Sequence, residues 1–247
     1  RDRREAKRKH VQIASVDPAT GRPAVRTVAF RGFLTPSDLT EGASAGAASR
    51  EESCILTFIT DSRAEKARHL SDPAHAFVEC CWWLDEAGVQ FRIAGRAVIA
   101  AAGSDDPELR AIRESVWCRL TRGTRETFMW PTPGAPRAPG PPEDVDLVEF
   151  DGLGGAEDAL EGKCSDDCES SESLPLSEAH FSVLLVVPDR VDELRLGGRQ
   201  RRRLYTLAED RNKDGLPVEV ATGLQLGRPG GSLWQAQSSW VVSEVNP

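Results

Sequence analysis

The chain has 247 residues, 39% hydrophobic and 28% charged, with a formal net charge of -8. This length can bury a sizeable core in one domain with insertions, or at most two. The acidic balance argues against an extended nucleic-acid surface, and no apolar run exceeds strand length, so no membrane span is predicted.

Taken in chain order, Arg1-Asp-Arg-Arg-Glu-Ala-Lys-Arg-Lys-His10 is basic and helical-looking and lacks a signal-peptide core. An upstream helix or a transit peptide is expected before it, and a chloroplast address is compatible with the sequence. Strands are predicted near Val11 to Val16, Val25 to Phe33, Ile55 to Thr60, Ala76 to Leu84 and Val89 to Ala101. Helices are predicted over Ala64 to Leu70 and Pro107 to Leu120, the second capped by Ser104-Asp105-Asp106. Residues 131–145 are rich in Pro and Gly and should wrap the surface as extended chain. Residues 151–177 are dominated by Gly, Ser, Asp and Glu, too polar to offset ordering entropy, and read as an acidic disordered insertion. Strands resume at Phe181 to Val187, Val191 to Leu196, Arg203 to Leu207 and Trp234 to Val242. Many short strands with two helices predict a mainly β domain spanning residues 1–247, a barrel with attached helices.

Cys54, Cys80, Cys81 and Cys118 sit in apolar or periodic segments and read as buried thiols, while Cys164 and Cys168 form an isolated pair in the acidic stretch. Neither a disulfide framework nor a metal site follows, and a reducing intracellular compartment is the simpler inference. Asp210-Arg-Asn-Lys-Asp-Gly215 opens like a calcium loop, but Pro217 interrupts it and Ala221 stands where a bidentate Glu is required. Gly152-Leu-Gly154-Gly155 lacks the strand and helix cap of a dinucleotide cradle. The four histidines form no triad with a serine elbow, and His69 reads as a surface residue. In Trp82-Trp83 alternation sends one ring inward and one outward, and Trp130 could border a bound ring.

Three segments carry the functional signal: Arg26-Thr-Val-Ala-Phe-Arg-Gly-Phe33, Phe58-Ile-Thr-Asp-Ser-Arg-Ala-Glu-Lys66 and Gln90-Phe-Arg-Ile-Ala-Gly-Arg96. Period two places Arg26 on one strand face with Val28 and Phe30, and Gln90 on one face with Arg92. A buried polar group needs a partner, and a flat anion would serve both the guanidinium and its apolar neighbours. After the strand ending at Thr60, Ser62, Arg63 and Lys66 surround a predicted helix start that favours phosphate. The same residues also fit strand-end polar groups and surface ion pairs, and spacing alone does not separate the two readings.

At these segments, and at Glu79-Cys-Cys-Trp-Trp83, Phe128-Met-Trp-Pro-Thr-Pro-Gly134 and Val245-Asn-Pro247, the chain resembles the pyridoxamine 5′-phosphate oxidase-like flavoproteins. The resemblance covers roughly Val11 to Pro247 apart from the insertion. It implies a split β-barrel of antiparallel strands that binds FMN at a homodimer interface. It further implies that Arg26 and Lys66 hold the phosphate, that Thr27 and Val28 run beside the flavin, that Thr60 caps its strand at the cofactor, and that Gln90 borders the ring. Ser62 and Arg63 fit a Thr-Asp-x-Arg subgroup pattern, with Arg63 as the second phosphate charge, and Arg203 matches a C-terminal position that reaches the partner subunit's cofactor. Two departures concern catalysis. Leu120-Thr-Arg-Gly-Thr-Arg-Glu-Thr-Phe128 and Arg199-Gln-Arg-Arg-Arg-Leu-Tyr205 lack the Ser-Gln and the histidine with which the true oxidases hold pyridoxamine phosphate. The expectation is therefore an FMN-dependent oxidoreductase, oxidase or reductase, acting on an unidentified small molecule. The alternatives are a non-catalytic flavin carrier or sensor, or a true pyridoxamine 5′-phosphate oxidase. No nucleic-acid or membrane partner is expected, and no residue is assigned as a catalytic base.

Overall fold

Alternating apolar and polar residues build the first hairpin, β1 (His10–Val16) against β2 (Pro23–Phe33). Its turn is closed by Asp17, which donates to Arg22 O and accepts from Gly21 N, with Gly21 at φ 69°. The remaining strands are β3 (Leu56–Asp61), β4 (Phe77–Leu84), β5 (Val89–Ala100), β6 (Phe181–Arg195), β7 (Arg201–Leu207) and β8 (Trp240–Val245). Among the described residues they are accompanied by the helices α1 (Glu65–His69), α2 (Pro107–Cys118) and α3 (Arg122–Glu126). This computed structural model describes residues 9–35, 38, 53–136, 178–207 and 240–246. The acidic stretch 151–177, residues 137–145, the basic residues 1–8, Cys164, Cys168 and the Asp210 to Gly215 turn lie outside them.

The sheet runs β3-β2-β1-β4-β5-β6-β7-β8, every neighbour antiparallel, and β3 also pairs with β6. Strands β1 to β6 therefore close into a six-strand antiparallel barrel, and β7 and β8 extend it beyond β6. In that ring β2 and β5 lie three strands apart in either direction, on opposite walls. No helix among the described residues is long and apolar enough to cross a membrane.

Closure gives the barrel two apolar cores. The inner one gathers Val11, Ile13, Phe58, Val78, Cys80, Ile93, Leu184 and Val186, with Val28, Phe30 and Trp82 packed against it. Phe30 anchors its aromatic part, with ring centroids 4.7 Å from Trp82 and 6.1 Å from Phe58. Trp82 points inward while Trp83 is exposed and donates to Asp85. The outer core forms where α2 lays Leu109, Ile112, Val116 and Trp117 over Val98, Ala100, Val183 and Leu185. Asp106 caps α2, accepting from Glu108 N at 2.8 Å and Leu109 N at 3.3 Å, ahead of Pro107 in the first turn. Burial pushes the Cys80 thiol up to about 12, which makes it inert.

Three local expectations are corrected. The strands predicted separately at Phe181 to Val187 and Val191 to Leu196 are one strand, β6, running through Pro188. Proline lacks the N–H a ladder needs, and the register shifts between Ala94 and Gly95, opposite Pro188, where a bulge absorbs the missing bond. The helix predicted over Ala64 to Leu70 keeps only five residues, because Ala64 adopts extended backbone and offers no side-chain cap. Finally, α3 was not predicted; Thr121 starts it by accepting from Thr124 N.

Asp192 forms the polar knot of the β5–β6–β7 wall. It accepts from Arg202 Nε at 2.9 Å and Arg202 Nη2 at 2.8 Å, and pairs with Arg92 across the sheet. The Arg202 bonds, reinforced by Arg92 against the cost of burial, hold its carboxyl at about 2.

Two variants test this architecture by urea unfolding. A Cβ on Gly95 would lie 2.1 Å from Val187 O, so Gly95→Ala should cost at least about 2 kcal/mol, whereas Gly123→Ala, with open space around it, should be neutral or stabilising. Because the Asp192 pKa is depressed on folding, its contribution is complete above the ordinary carboxylate range and is lost as pH falls towards about 2. Asp192→Asn should therefore cost about 2 kcal/mol at neutral pH, and the gap should shrink in acid.

Candidate cofactor site

The end of the barrel where β1 and β3 finish and β2 and β6 begin is polar. Arg26 lies on the inner face of β2, in register with Ile13, beside Val28 and Phe30. Its Nη1 donates to Ser15 Oγ at 2.7 Å, Ala24 O at 3.0 Å and Ile13 O at 3.4 Å. Its Nη2 stands 3.9 Å from Glu65 Oε2, outside hydrogen-bond range. Thr60, in register with Ser182, is buried at the same end, and its hydroxyl donates to Asp61 O.

Lys66 on α1 completes a pair of cations with Arg26. No hydrogen bond or ion pair within the described residues engages its ammonium group. Burial, and then the neighbouring Arg26 charge, pull the Lys66 pKa down, with Asp61 opposing them. Two half-buried cations side by side, one unpartnered among the described residues, are the donor set a phosphate dianion needs. The residues present thus fit the phosphate end of a flavin nucleotide. The single turn of α1 is too short to add much field, so the side chains carry the charge.

The other predicted residues divide between two faces. Thr27 points to the outer surface, in a cross-strand row with Gln12, Cys81 and Arg92, whereas Val28 points inward. Ser62 donates its backbone N–H to His180 O. Arg63, expected to meet phosphate, makes a fork with Asp61 through Nε and Nη2, and Nη2 also donates to Phe128 O at 3.2 Å and Trp130 O at 3.0 Å. It thereby fastens the Phe128 to Trp130 segment to the end of β3. Burial raises the Asp61 carboxyl, but the bonds from Arg63 outweigh it and hold the group below its ordinary range.

Gln90 opens β5 on the outer face, in a row with Trp83, Leu194 and Arg202. It is on the wall opposite Arg26 and on the other face of the sheet, so one copy of the chain does not bring the two together. Arg203 shares the inward-facing row of Phe91 and Glu193, and its guanidinium pairs with Glu244 at 3.3 Å. Arg202 is the β7 arginine that shares the face of Gln90. Among the described residues no group of three His, Cys, Asp or Glu could hold a metal ion.

Two polar residues behind Arg26 went unnoticed in the sequence. Ser15 is 2% exposed, and His69, read as a surface residue, is fully buried with Nδ1 3.0 Å from Ser15 Oγ. The spacing of Ser15 from Val11 and Ile13 was a usable signal, since period two assigns it to the inner face.

Comparison with known proteins agrees with this geometry. Residues 1–101 match the family described as pyridoxamine 5′-phosphate oxidase, FMN-binding domain. A curated relative, pyridoxine/pyridoxamine 5′-phosphate oxidase 2 of Arabidopsis thaliana, is 28% identical over 204 residues, covering 81% of this chain and 79% of its own. A solved pyridoxamine 5′-phosphate oxidase-related, FMN-binding protein of Nostoc punctiforme is 28% identical, with a TM-score of 0.59, covering 97% of this chain and 88% of that one. Residues 1–101 thus match an FMN-binding domain of pyridoxamine 5′-phosphate oxidase type, the chain is similar over most of its length to proteins of that type, and the cofactor these matches support is FMN.

Proposed function

We propose that the chain is an FMN-dependent oxidoreductase whose flavin phosphate is held by Arg26 and Lys66, with Thr60 and Ser62 beside them. The observation that carries this reading is the pairing of two half-buried cations, with Lys66 lacking any ion-pair partner among the described residues. Thr27 and Val28 follow Arg26 along the strand that would border the flavin. Arg63 supports the site from behind by fixing Asp61 and the Trp130 segment. Because Gln90 lies on the opposite wall and face, its contact with the ring comes from a second copy, which also presents the β7 arginines. The functional unit on this reading is a homodimer with FMN between the subunits.

Bound FMN would accept a hydride equivalent from a substrate and pass the electrons on, so the protein need only bind and orient. This agrees with the lack of an assignable base among the predicted residues. The activity for which the Arabidopsis relative is named makes pyridoxamine 5′-phosphate the first substrate to try. The missing Ser-Gln and histidine in residues 120–128 and 199–205 weigh against it.

After removal of free flavin, the wild-type chain should retain visible flavin absorption, and Arg26→Ala and Lys66→Ala should each lose it. Retention in both variants would place the phosphate elsewhere. Phosphate contact raises the depressed Lys66 pKa, so binding should take up protons where free Lys66 is partly deprotonated. Affinity should then fall as pH rises through the pKa of the bound state, checked by titration calorimetry in buffers of different ionisation heat. Anaerobic bleaching of the bound flavin by pyridoxamine 5′-phosphate or a reduced nicotinamide separates an enzyme from a carrier, which no such donor would reduce.

A further inference from the structure

We infer that Ser15 and His69 are positioning residues for FMN phosphate, acting through Arg26 and holding its contact with Glu65 to a long ion pair without a hydrogen bond. The inference rests on the phosphate role proposed for Arg26. A guanidinium on a half-open barrel end has two destinations here. One is the Glu65 carboxylate, 3.9 Å from Nη2 and exposed on the first turn of α1. The other is the barrel interior, where Nη1 meets Ser15 Oγ and two backbone carbonyls. The structure holds the second, and the 2.7 Å bond to Ser15 is the shortest of the three.

Ser15 is itself fixed. Its hydroxyl lies 3.0 Å from Nδ1 of His69, a ring with no solvent exposure. Arg68 Nη2, which can only donate, lies 3.3 Å from the other ring nitrogen, nearer than the Glu65 carboxylate at 3.8 Å. Arg68 therefore takes the Nε2 lone pair and leaves the ring proton on Nδ1. Ser15 Oγ then accepts from both His69 and Arg26. In the other tautomer the hydroxyl donates to Nδ1 and still keeps its lone pairs for Arg26. In both forms the serine oxygen stays aimed at the guanidinium.

The consequence is a preset edge. With Nη1 spent inward, Nη2 remains on the side of Glu65, free of any hydrogen bond within the described residues and available to a phosphate oxygen. Removing the acceptor frees Arg26 to swing to Glu65, where its charge is neutralised before any ligand arrives. Preorganisation of this kind lowers the ordering cost of binding. It acts on phosphate alone, since riboflavin offers none.

The test compares FMN with riboflavin by fluorescence titration of the full chain. Ser15→Ala and His69→Leu should each reduce the preference for FMN over riboflavin about tenfold. His69→Asn, whose amide can reach Ser15 as Nδ1 does, should restore most of it. Ser15→Ala/Glu65→Gln should also recover preference, because the competing carboxylate is gone. An unchanged preference in Ser15→Ala and His69→Leu, while Arg26→Ala loses it, would overturn the positioning role and leave the phosphate site standing. An unchanged preference in Arg26→Ala would instead overturn the phosphate reading itself. Equal loss of both flavins in the serine and histidine variants would mark a purely structural role and also overturn the inference. Ser15→Ala removes a single buried oxygen and provides the readout if His69→Leu fails to fold.

Discussion

Pairing between β3 and β6 is the constraint on which the rest of the molecule depends. Once that ladder closes the ring, every strand residue is assigned to the inside or the outside, and a one-residue slip would exchange the two sets. An arginine in register with Ile13 must then point inward, and it is tolerable only where the barrel opens. Ser15, Thr60, Ser182 and His69 gather at that opening because β1, β3 and β6 all turn there. The same closure forces Gly95 at the Pro188 bulge, where Val187 O leaves no room for a side chain.

The polar end is arranged so that its positive charge is only partly answered from within. Arg63 is matched there by Asp61 and by two carbonyls, and on the opposite wall Arg92 and Arg202 share Asp192. Arg26 and Lys66 differ: the first is hydrogen-bonded only to neutral acceptors, with Glu65 reaching it as a long ion pair at 3.9 Å, and the second is engaged by no described residue. Burial, and then repulsion from Arg26, depress the Lys66 pKa, a cost that an arriving dianion would relieve. On the proposed reading, a stable fold and a phosphate site come from one arrangement of charges.

Much of the fold was legible because half-buried antiparallel strands alternate, and β1, β2, β4 and β5 declare themselves within a residue or two. Pro188 misled the reading, since a proline in a paired strand ordinarily ends it and only the partner strand reveals the bulge. Arg26 stood out as a cation on an apolar strand face, and Lys66 as a cation at a predicted helix start. Their mutual proximity, and the division of Arg26 and Gln90 between opposite walls, depend on inter-strand register, which a single sequence does not carry. Arg203 came from its match to a family position, while register places Arg202 on the face of Gln90. His69 looked like a surface residue because α1 is short, yet its one buried side packs on β1 through Ser15.

The central claim is that one flavin is held by Arg26 and Lys66 of one copy and bordered by Gln90 of another. Mixing unfolded Arg26→Ala and Gln90→Ala chains, refolding them together and measuring retained flavin tests it most directly. In a mixed dimer one of the two interfaces regains both wild-type residues. The account predicts that the mixture retains flavin that neither variant retains alone, at up to one site per mixed dimer. Retention no greater than the average of the separate variants would contradict it and confine the cofactor to a single chain.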